Sequence, residues 1–180
     1  MSGGIINLFL LDNAAIRGII LRAVRLNNSY AAVGYAHSKH MKPEHAKQIA
    51  DLLNSRNQLV RDYDANMILD REDDFIYELK DDAVIACIEA KKVQWYQWEV
   101  CHLTVAPKNE GQGLGSLMIR KAEERAKKGG ARIIQCTIRV GNAESERAFE
   151  RNGYRRVSEF YFPNSGNNVA VWQKIVSLRS

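Results

Sequence analysis

The sequence predicts a single α/β domain, and three observations support this prediction. Apolar residues recur at strand spacing and at helical spacing in successive segments of the chain. The length of 180 residues, with 46% hydrophobic and 26% charged residues, suits one domain with a substantial core. The chain contains no internal repeat, low-complexity tract or interdomain linker. We therefore expect residues 1–180 to fold together.

The N-terminal third predicts a strand followed by two helices. The apolar run Ile5–Leu11 predicts the first strand, and Asp12-Asn13 can cap the helix that follows it. Pro43 begins a second amphipathic helix, whose inward-facing side continues as far as Leu59-Val60. Residues 61–74 are rich in charge and show no periodicity.

The remainder of the chain alternates strands with two further helices. Gly129-Gly130 ends the first of these helices, and the segment 163–168 supplies the last turn. The predicted strands are 75–79, 83–90, 93–105, 131–140, 154–162 and 169–176, and the predicted helices are 113–128 and 142–152.

The segment most informative about function is the glycine-rich turn that follows the strand ending at Val105. Gly111, Gly113 and Gly115 alternate, and an amphipathic helix begins at once. Glycines let the main chain approach a ligand, and a helix N-terminus adds unpaired N–H donors with a positive dipole end. Together they predict an anion site suited to a pyrophosphate. The spacing does not fit a Walker loop. It does not fit a dinucleotide fingerprint either, because that motif needs glycine where Ser116 stands.

A second motif occupies residues 142–154. Asn142 is suited to cap a short helix and Gly153 to end it, and a strand then begins at Tyr154. The motif therefore predicts a compact helix–strand unit.

The two motifs together resemble the GNAT superfamily of N-acetyltransferases. The segment 110–115 matches the family's coenzyme A loop, Gln/Arg-x-x-Gly-x-Gly/Ala, except that Glu110 stands at the first position. The family's later helix reads Asn-x-x-Ala/Ser-x-x-x-Tyr-x-x-x-Gly-Phe/Tyr, and Phe149 replaces its internal tyrosine. The positions that match this second pattern are Asn142, Ser145, Gly153 and Tyr154.

The resemblance implies a fold with a mixed, mostly antiparallel central sheet flanked by helices. The motif-bearing core would span residues 75–176, and residues 5–60 would form elements on the acceptor side. The strand ending at Val105 and the strand 131–140 would be parallel neighbours that splay apart around the pantetheine arm of the coenzyme.

The resemblance also implies an acetyl-CoA-dependent N-acetyltransferase. It would transfer an acetyl group to a primary amine of a small molecule or protein, by direct attack in a ternary complex and without a metal. An alternative is a coenzyme A-binding regulatory module with weak or no activity, which the departures at Glu110 and Phe149 favour. The expected coenzyme-binding residues are Leu103, Thr104, Val105, Gln112, Gly113, Leu114, Gly115, Ser116, Asn142 and Phe149.

Glu99 is the candidate general base. It lies fourteen residues before Gly113, the offset at which the histone-acetylating branch of the family carries a catalytic glutamate. The alternative is an ordinary strand glutamate beside Lys91 or Lys92. Strict alternation gives His102 no role and predicts one shared strand face for Glu99, Cys101, Leu103 and Val105.

The general acid is less well defined, because Phe149 cannot donate a proton. Tyr154 and Tyr161 are weak candidates for this role. The alternative is that the coenzyme thiolate, with a pKa near ~8.5 by analogy with cysteine, leaves unaided.

The acceptor is not specified by a motif. Residues 62–82 contain nine acidic side chains and two basic ones, which would suit a cationic amine. Solvated turns explain the same run. Trp95, Tyr96 and Trp98 could wall an acceptor pocket.

Composition argues against several other classes of protein. The net charge of +5 is modest, and no dense basic patch with interleaved aromatics suggests nucleic-acid binding. No apolar run reaches the ~20 residues of a membrane span. Three cysteines, an odd number without metal-ligand spacing, favour a reduced, cytoplasmic protein without a metal. Edge strands near the C-terminus allow a homodimer.

Overall fold

The computed structural model describes residues 40–56 and 62–176, which belong to one compact unit, His40–Ser180. Its elements are α1 Pro43–Arg56, α2 Ala65–Leu69, β1 Phe75–Lys80, β2 Ala83–Lys92, β3 Gln97–Val105, α3 Leu114–Lys128, β4 Ile133–Arg139, α4 Ala143–Arg151, β5 Arg155–Phe162 and β6 Asn167–Ile175. The predicted strand Ile5–Leu11 and the helix after it lie outside the described residues, and a single domain for residues 1–180 stays a prediction.

Six strands form one sheet in the order β1-β2-β3-β4-β6-β5. Every neighbouring pair is antiparallel except β3 and β4, which are parallel and joined through α3. The predicted mixed, mostly antiparallel sheet flanked by helices is therefore confirmed.

Helices cover both faces of this sheet. The inward face of α3, including Met118, Ile119 and Ala122, packs on a core to which β2, β3, β4 and β6 contribute. Helix α1 packs through Ile49 and Leu53 on a separate cluster. This second cluster contains Cys87 of β2, whereas the first contains Ala86 and Ile88, so alternation places the two cores on opposite faces.

The third strand begins later than its apolar pattern predicts. The amides of Val93 and Gln94 both donate to the carbonyl of Gln97, at 3.0 and 3.1 Å, and close a hairpin turn before the strand. Trp95 is consequently 68% exposed beside Arg132, and Trp98 packs so closely that a Cβ on Gly129 would lie 2.1 Å from its ring. None of Trp95, Tyr96 and Trp98 lines the cavity that the described residues form between β3 and β4, and an aromatic pocket wall for the acceptor stays a prediction.

Residues 61–74 show more structure than their sequence pattern predicts. The side chain of Asp64 accepts a hydrogen bond from the amide of Met67 at 2.9 Å and caps the short helix α2. Five residues are too few to display helical periodicity, so only the cap could have indicated this helix. None of the helices in the described residues is long and apolar enough to span a membrane.

Candidate active site

Strands β3 and β4 diverge after a short stretch of pairing. Their ladder contains only the pairs Gln97–Ile133, Trp98–Ile134 and Glu99–Gln135, although both strands continue well beyond it. The predicted parallel pairing and splay are both present. A cavity of about 680 Å³ opens where the strands separate; it is lined by Arg56, Tyr63, Val100, Cys101, His102, Leu103, Cys136, Thr137, Ile138, Arg139, Asn142, Ser145, Phe149, Phe162, Ser165, Asn167 and Val169.

The glycine-rich turn leaves main-chain donors open at the start of α3. Gly113 precedes the helix with φ of 78°, a conformation that glycine adopts without strain. The first helical hydrogen bond runs from the amide of Leu117 to the carbonyl of Gly113, at 3.0 Å. The amides of residues 114–116 therefore precede the helical ladder, and open space surrounds the Cβ positions of Gly113 and Gly115. This geometry suits an anion bound by main-chain N–H groups.

Glu110, which departs from the family pattern, forms an ion pair with Arg56 at the end of α1. Both side chains are 38% exposed. A carboxylate next to an anion site opposes anion binding, and the guanidinium of Arg56 offsets this opposition.

The two halves of this ion pair should have opposite effects on coenzyme A binding. We expect Glu110→Gln to tighten binding and Arg56→Gln to weaken it, each by less than about 1 kcal/mol because the pair is exposed. Isothermal titration with coenzyme A at two salt concentrations measures both effects, which should shrink at high salt. Weaker binding by Glu110→Gln would instead show that the ion pair mainly holds the loop in place.

A β-bulge in β3 changes which side chains share a face. Cys87 of β2 pairs with Thr104 and Glu89 pairs with Cys101, so three steps along β3 match two along β2. The extra residue is His102, with φ of 55°.

The bulge reverses the alternation of side chains after His102. Leu103 and Val105 pack on the α3 core with Trp98 and Val100, so the predicted shared face with Glu99 is wrong. A single inserted residue is the physical cause, because side-chain direction in a strand has a period of two. The main chain of residues 103–105 still follows the open edge of the splay.

The bulge brings His102 into a buried polar cluster. Glu89 is fully buried; its Oε1 accepts a hydrogen bond from Nη1 of Arg71 at 3.0 Å, and its Oε2 lies 3.5 Å from Nε2 of His102. The hydroxyl of Tyr63 lies 2.9 Å from the same Nε2. Burial lowers the pKa of His102, and the carboxylate of Glu89 partly counteracts this. A neutral imidazole that lines the cavity can accept a proton.

Sequence reasoning missed this cluster. Strict alternation directed His102 away from the predicted site, and the bulge that overturns it has no clear sequence signal. Glu89 did offer one, because it is the only acidic residue within the predicted strand 83–90. A carboxylate in a buried strand needs partners, which in this fold are Arg71 and His102.

Glu99 occupies a different environment. Its Oε2 lies 3.0 Å from Nζ of Lys91, directly across the β2–β3 ladder, and its side chain is 27% exposed. It is not among the residues that line the cavity. This is the strand ion pair that the sequence offered as the alternative, and a base role for Glu99 stays a prediction.

The two tyrosines suggested as acids are poorly placed for that role. Tyr154 is 2% exposed and packs edge-on against Phe149, with ring centres 5.0 Å apart. Burial raises the pKa of the Tyr154 hydroxyl, and the nearby Glu123 carboxylate raises it further. Tyr161 is 61% exposed on β5, and neither residue lines the cavity. Among the tyrosines of the described residues, Tyr63 lines it.

The second motif forms the helix–strand unit that its sequence predicts. The side chain of Asn142 accepts from the amide of Ser145 at 3.3 Å, and Gly153 ends α4 with φ of 84°. Asn152 then donates to the Ser116 hydroxyl at 3.1 Å and connects this motif with the glycine-rich turn. Asn142 and Phe149 both line the cavity, and their role in coenzyme binding stays a prediction.

Several carboxylates of residues 62–82 serve local structure. Glu72 accepts a hydrogen bond from the amide of Met41 at 2.8 Å, and Asp82 contacts the side chains of Lys42 and His45. Glu78 pairs with Lys121. These contacts favour solvated turns and caps over an acceptor site.

Comparison with known proteins agrees with this geometry. A model of the acetyltransferase (GNAT) family matches residues 45–154. The chain belongs to the GNAT acetyltransferase family. No curated protein matches it by sequence.

Solved structures share the GNAT fold of this chain at low sequence identity. Ard1 from Thermoplasma volcanium is 16% identical, with a TM-score of 0.66 over 77% of this chain and 96% of that chain. The yncA protein from Salmonella typhimurium, solved with its cofactor acetyl-CoA, is 15% identical, with a TM-score of 0.66 over 79% and 93%. A ribosomal-protein-alanine N-acetyltransferase from Brucella melitensis is 16% identical, with a TM-score of 0.64 over 77% and 98%.

Proposed function

We propose that this GNAT chain is an acetyl-CoA-dependent N-acetyltransferase that acts on a primary amine of a small molecule or protein. The observation that carries the proposal is the cavity between the diverging strands β3 and β4, which is lined by the neutral imidazole of His102. The glycine-rich turn at the start of α3 supplies open main-chain amides in the same fold. The alternative role, a binding module without catalysis, does not require His102, Glu89 and Tyr63 to be arranged in this way.

Coenzyme binding is assigned mainly to the main chain. The amides of residues 112–116 would hold the pyrophosphate, and residues 103–105 would pair with the pantetheine arm along the edge that β4 leaves open. Asn142 and Phe149 would contact it from the opposite side of the cavity. Bound acetyl-CoA supplies the acetyl group as a thioester.

His102 is the base in this proposal. A lysine-like amine has a pKa of ~10.4 and must lose a proton before it attacks. The Tyr63 hydroxyl passes its proton to Nε2 of His102 as it accepts one from the amine, and the buried Glu89 carboxylate stabilises the resulting imidazolium. The reaction then proceeds by direct attack in a ternary complex.

Departure of the thiolate needs no side-chain acid in this scheme. Phe149 stands where the family carries a tyrosine and has no proton to give. A thiolate with a pKa near ~8.5 is a tolerable leaving group at neutral pH. A panel of amines assayed for thiol release with acetyl-CoA tests the proposal; release with none of them would favour the binding module instead.

Substitution of Gly115 tests the coenzyme site separately from catalysis. Because space around its Cβ position is open, Gly115→Val should fold normally while its side chain covers the free amides. We expect coenzyme A affinity in isothermal titration to fall about 10- to 100-fold, since a hydrogen bond to a charged group contributes about 1.5–3 kcal/mol.

The matched control is Glu124→Val, an exposed position on the same helix. This substitution removes a negative charge, so any long-range electrostatic effect would strengthen the binding of coenzyme A, which is a polyanion. Unchanged affinity in a folded Gly115→Val protein would show that the glycine-rich turn is merely structural.

A further inference from the structure

The cluster under the β3 bulge contains a carboxylate, a thiol and an imidazole, all ligand types that zinc binds. They belong to Glu89, Cys101 and His102, and their ligand atoms all lie within 4.8 Å of one another. The sequence predicted no metal site, because these residues have no recognisable ligand spacing. The bulge brings the last two, which are adjacent in sequence, against the same carboxylate.

Two of the three separations between these atoms suit a tetrahedral ion. Metal–ligand bonds of about 2.0–2.3 Å at tetrahedral angles place neighbouring ligand atoms roughly 3.3–3.7 Å apart. Oε2 of Glu89 lies 3.4 Å from Sγ of Cys101 and 3.5 Å from Nε2 of His102. The thiol of Cys101 and the imidazole of His102 lie within 4.8 Å of each other, so a movement of one side chain would bring all three ligands to tetrahedral separations.

The surroundings of Glu89 support binding through one oxygen. Its Oε1 is held by Arg71 at 3.0 Å, which leaves Oε2 directed at the other two ligands. A ligand carboxylate whose second oxygen is hydrogen-bonded is the usual outer-shell arrangement of a metal site. Cys101 and His102 both line the cavity, so the fourth position is open to it.

We propose that Glu89, Cys101 and His102 bind Zn²⁺ and that the ion reversibly blocks acetyl transfer by occupying the base. On binding, the S–H bond of Cys101 breaks, its proton passes to solvent, and a sulfur–zinc bond forms. The Tyr63 hydroxyl gives up its contact with Nε2 of His102. Inhibition rests on the proposed function, whereas metal binding does not.

Two neighbouring cations limit the strength of the site. Arg71 contacts Glu89 directly, and Lys91 pairs with Glu99 two rungs along the β2–β3 ladder from Glu89 and Cys101. Their positive charge opposes a divalent ion, and the carboxylate and thiolate favour it. This balance fits a reversible inhibitory site better than a permanent structural one.

Cobalt substitution tests the binding directly in the full-length chain. We expect added Co²⁺ to produce a thiolate-to-metal charge-transfer band and tetrahedral d–d absorption, and Zn²⁺ to abolish both at one ion per chain. Cys101→Ser should lose the charge-transfer band. The matched control is Cys136→Ser, because Cys136 lines the same cavity from β4 but packs in the α3 core, and it should keep the band.

The outcomes separate the two proposals. No charge-transfer band, or a band that persists in Cys101→Ser, overturns the zinc site whatever the activity. If thiol release is detected, zinc should stop it in the wild type and a chelator should restore it. In Cys101→Ser, the rate of thiol release with zinc should approach the rate without zinc. A cobalt band in a chain without acetyl transfer would keep the metal site and reject the transferase.

Discussion

Replacing His102 with glutamine should lower the turnover of acetyl transfer about 10²–10⁴-fold, the range expected for loss of a general base. Coenzyme A binding measured by titration should stay within a few-fold of the wild type, because its proposed contacts are main-chain groups elsewhere. Glutamine keeps a polar side chain at the bulge but cannot accept and return a proton at neutral pH.

The pH dependence gives this prediction a second readout. Burial lowers the pKa of His102 below its ordinary value of 6.5, so the imidazole is neutral and active above that pH. Turnover of the wild type should fall as the pH drops through the lowered pKa. The His102→Gln variant should lose this acid limb and keep the rise at high pH that reflects deprotonation of the amine.

Two comparison variants distinguish His102 from the other candidate base. Tyr63→Phe removes the hydroxyl that lies 2.9 Å from Nε2 and should also lower turnover. Glu99→Gln breaks only the ion pair with Lys91 and should have a small effect. A large loss in Glu99→Gln together with a nearly normal His102→Gln would return the base role to Glu99.

Replacing Lys174 with methionine should lower the free energy of unfolding by about 3–5 kcal/mol, the cost of leaving a buried charge without its partner. Nζ of Lys174 lies 2.8 Å from both carboxylate oxygens of Glu123, whose side chain is 6% exposed. Lys174 also donates to the carbonyl of Asn152 at 2.7 Å. Lys127, 3.9 Å from Glu123, offers partial compensation and favours the lower end of this range.

A double variant provides the control for this prediction. Glu123→Leu combined with Lys174→Met removes both charges and should recover most of the lost stability, because an apolar pair of similar volume needs no counter-charge. Urea unfolding of the wild type, both single variants and the double variant gives the coupling energy. Equal losses in Lys174→Met and in the double variant would show that packing, and not the unpaired carboxylate, determines the cost.

The sequence predicted those features that depend on local chemistry. The glycine-rich turn and the helix after it follow from residues 111–128, because glycine conformation and helix caps act over a few positions. The cap at Asn142 and the end of α4 at Gly153 were predictable for the same reason. Family resemblance then supplied the mixed, mostly antiparallel sheet and its one parallel strand pair, which the structure confirms.

In two segments the sequence pattern was ambiguous, and only the structure distinguished the alternatives. The apolar run from residue 93 concealed a hairpin turn, since a turn made by Val93 and Gln94 carries no glycine or proline. The acidic segment 62–82 allowed either an acceptor site or solvated turns, and contacts such as those of Asp64 and Glu72 favour the turns.

The sequence alone determined where the main chain leaves open donors at the start of α3, because that depends on residue types close together in the chain. Only the tertiary structure decided which side chains share the cavity. One extra residue at His102 reverses the alternation of β3, and the register against β2 places His102 beside Glu89, thirteen positions away in sequence. Register is fixed by packing across the whole sheet, so no local pattern could have located this cluster.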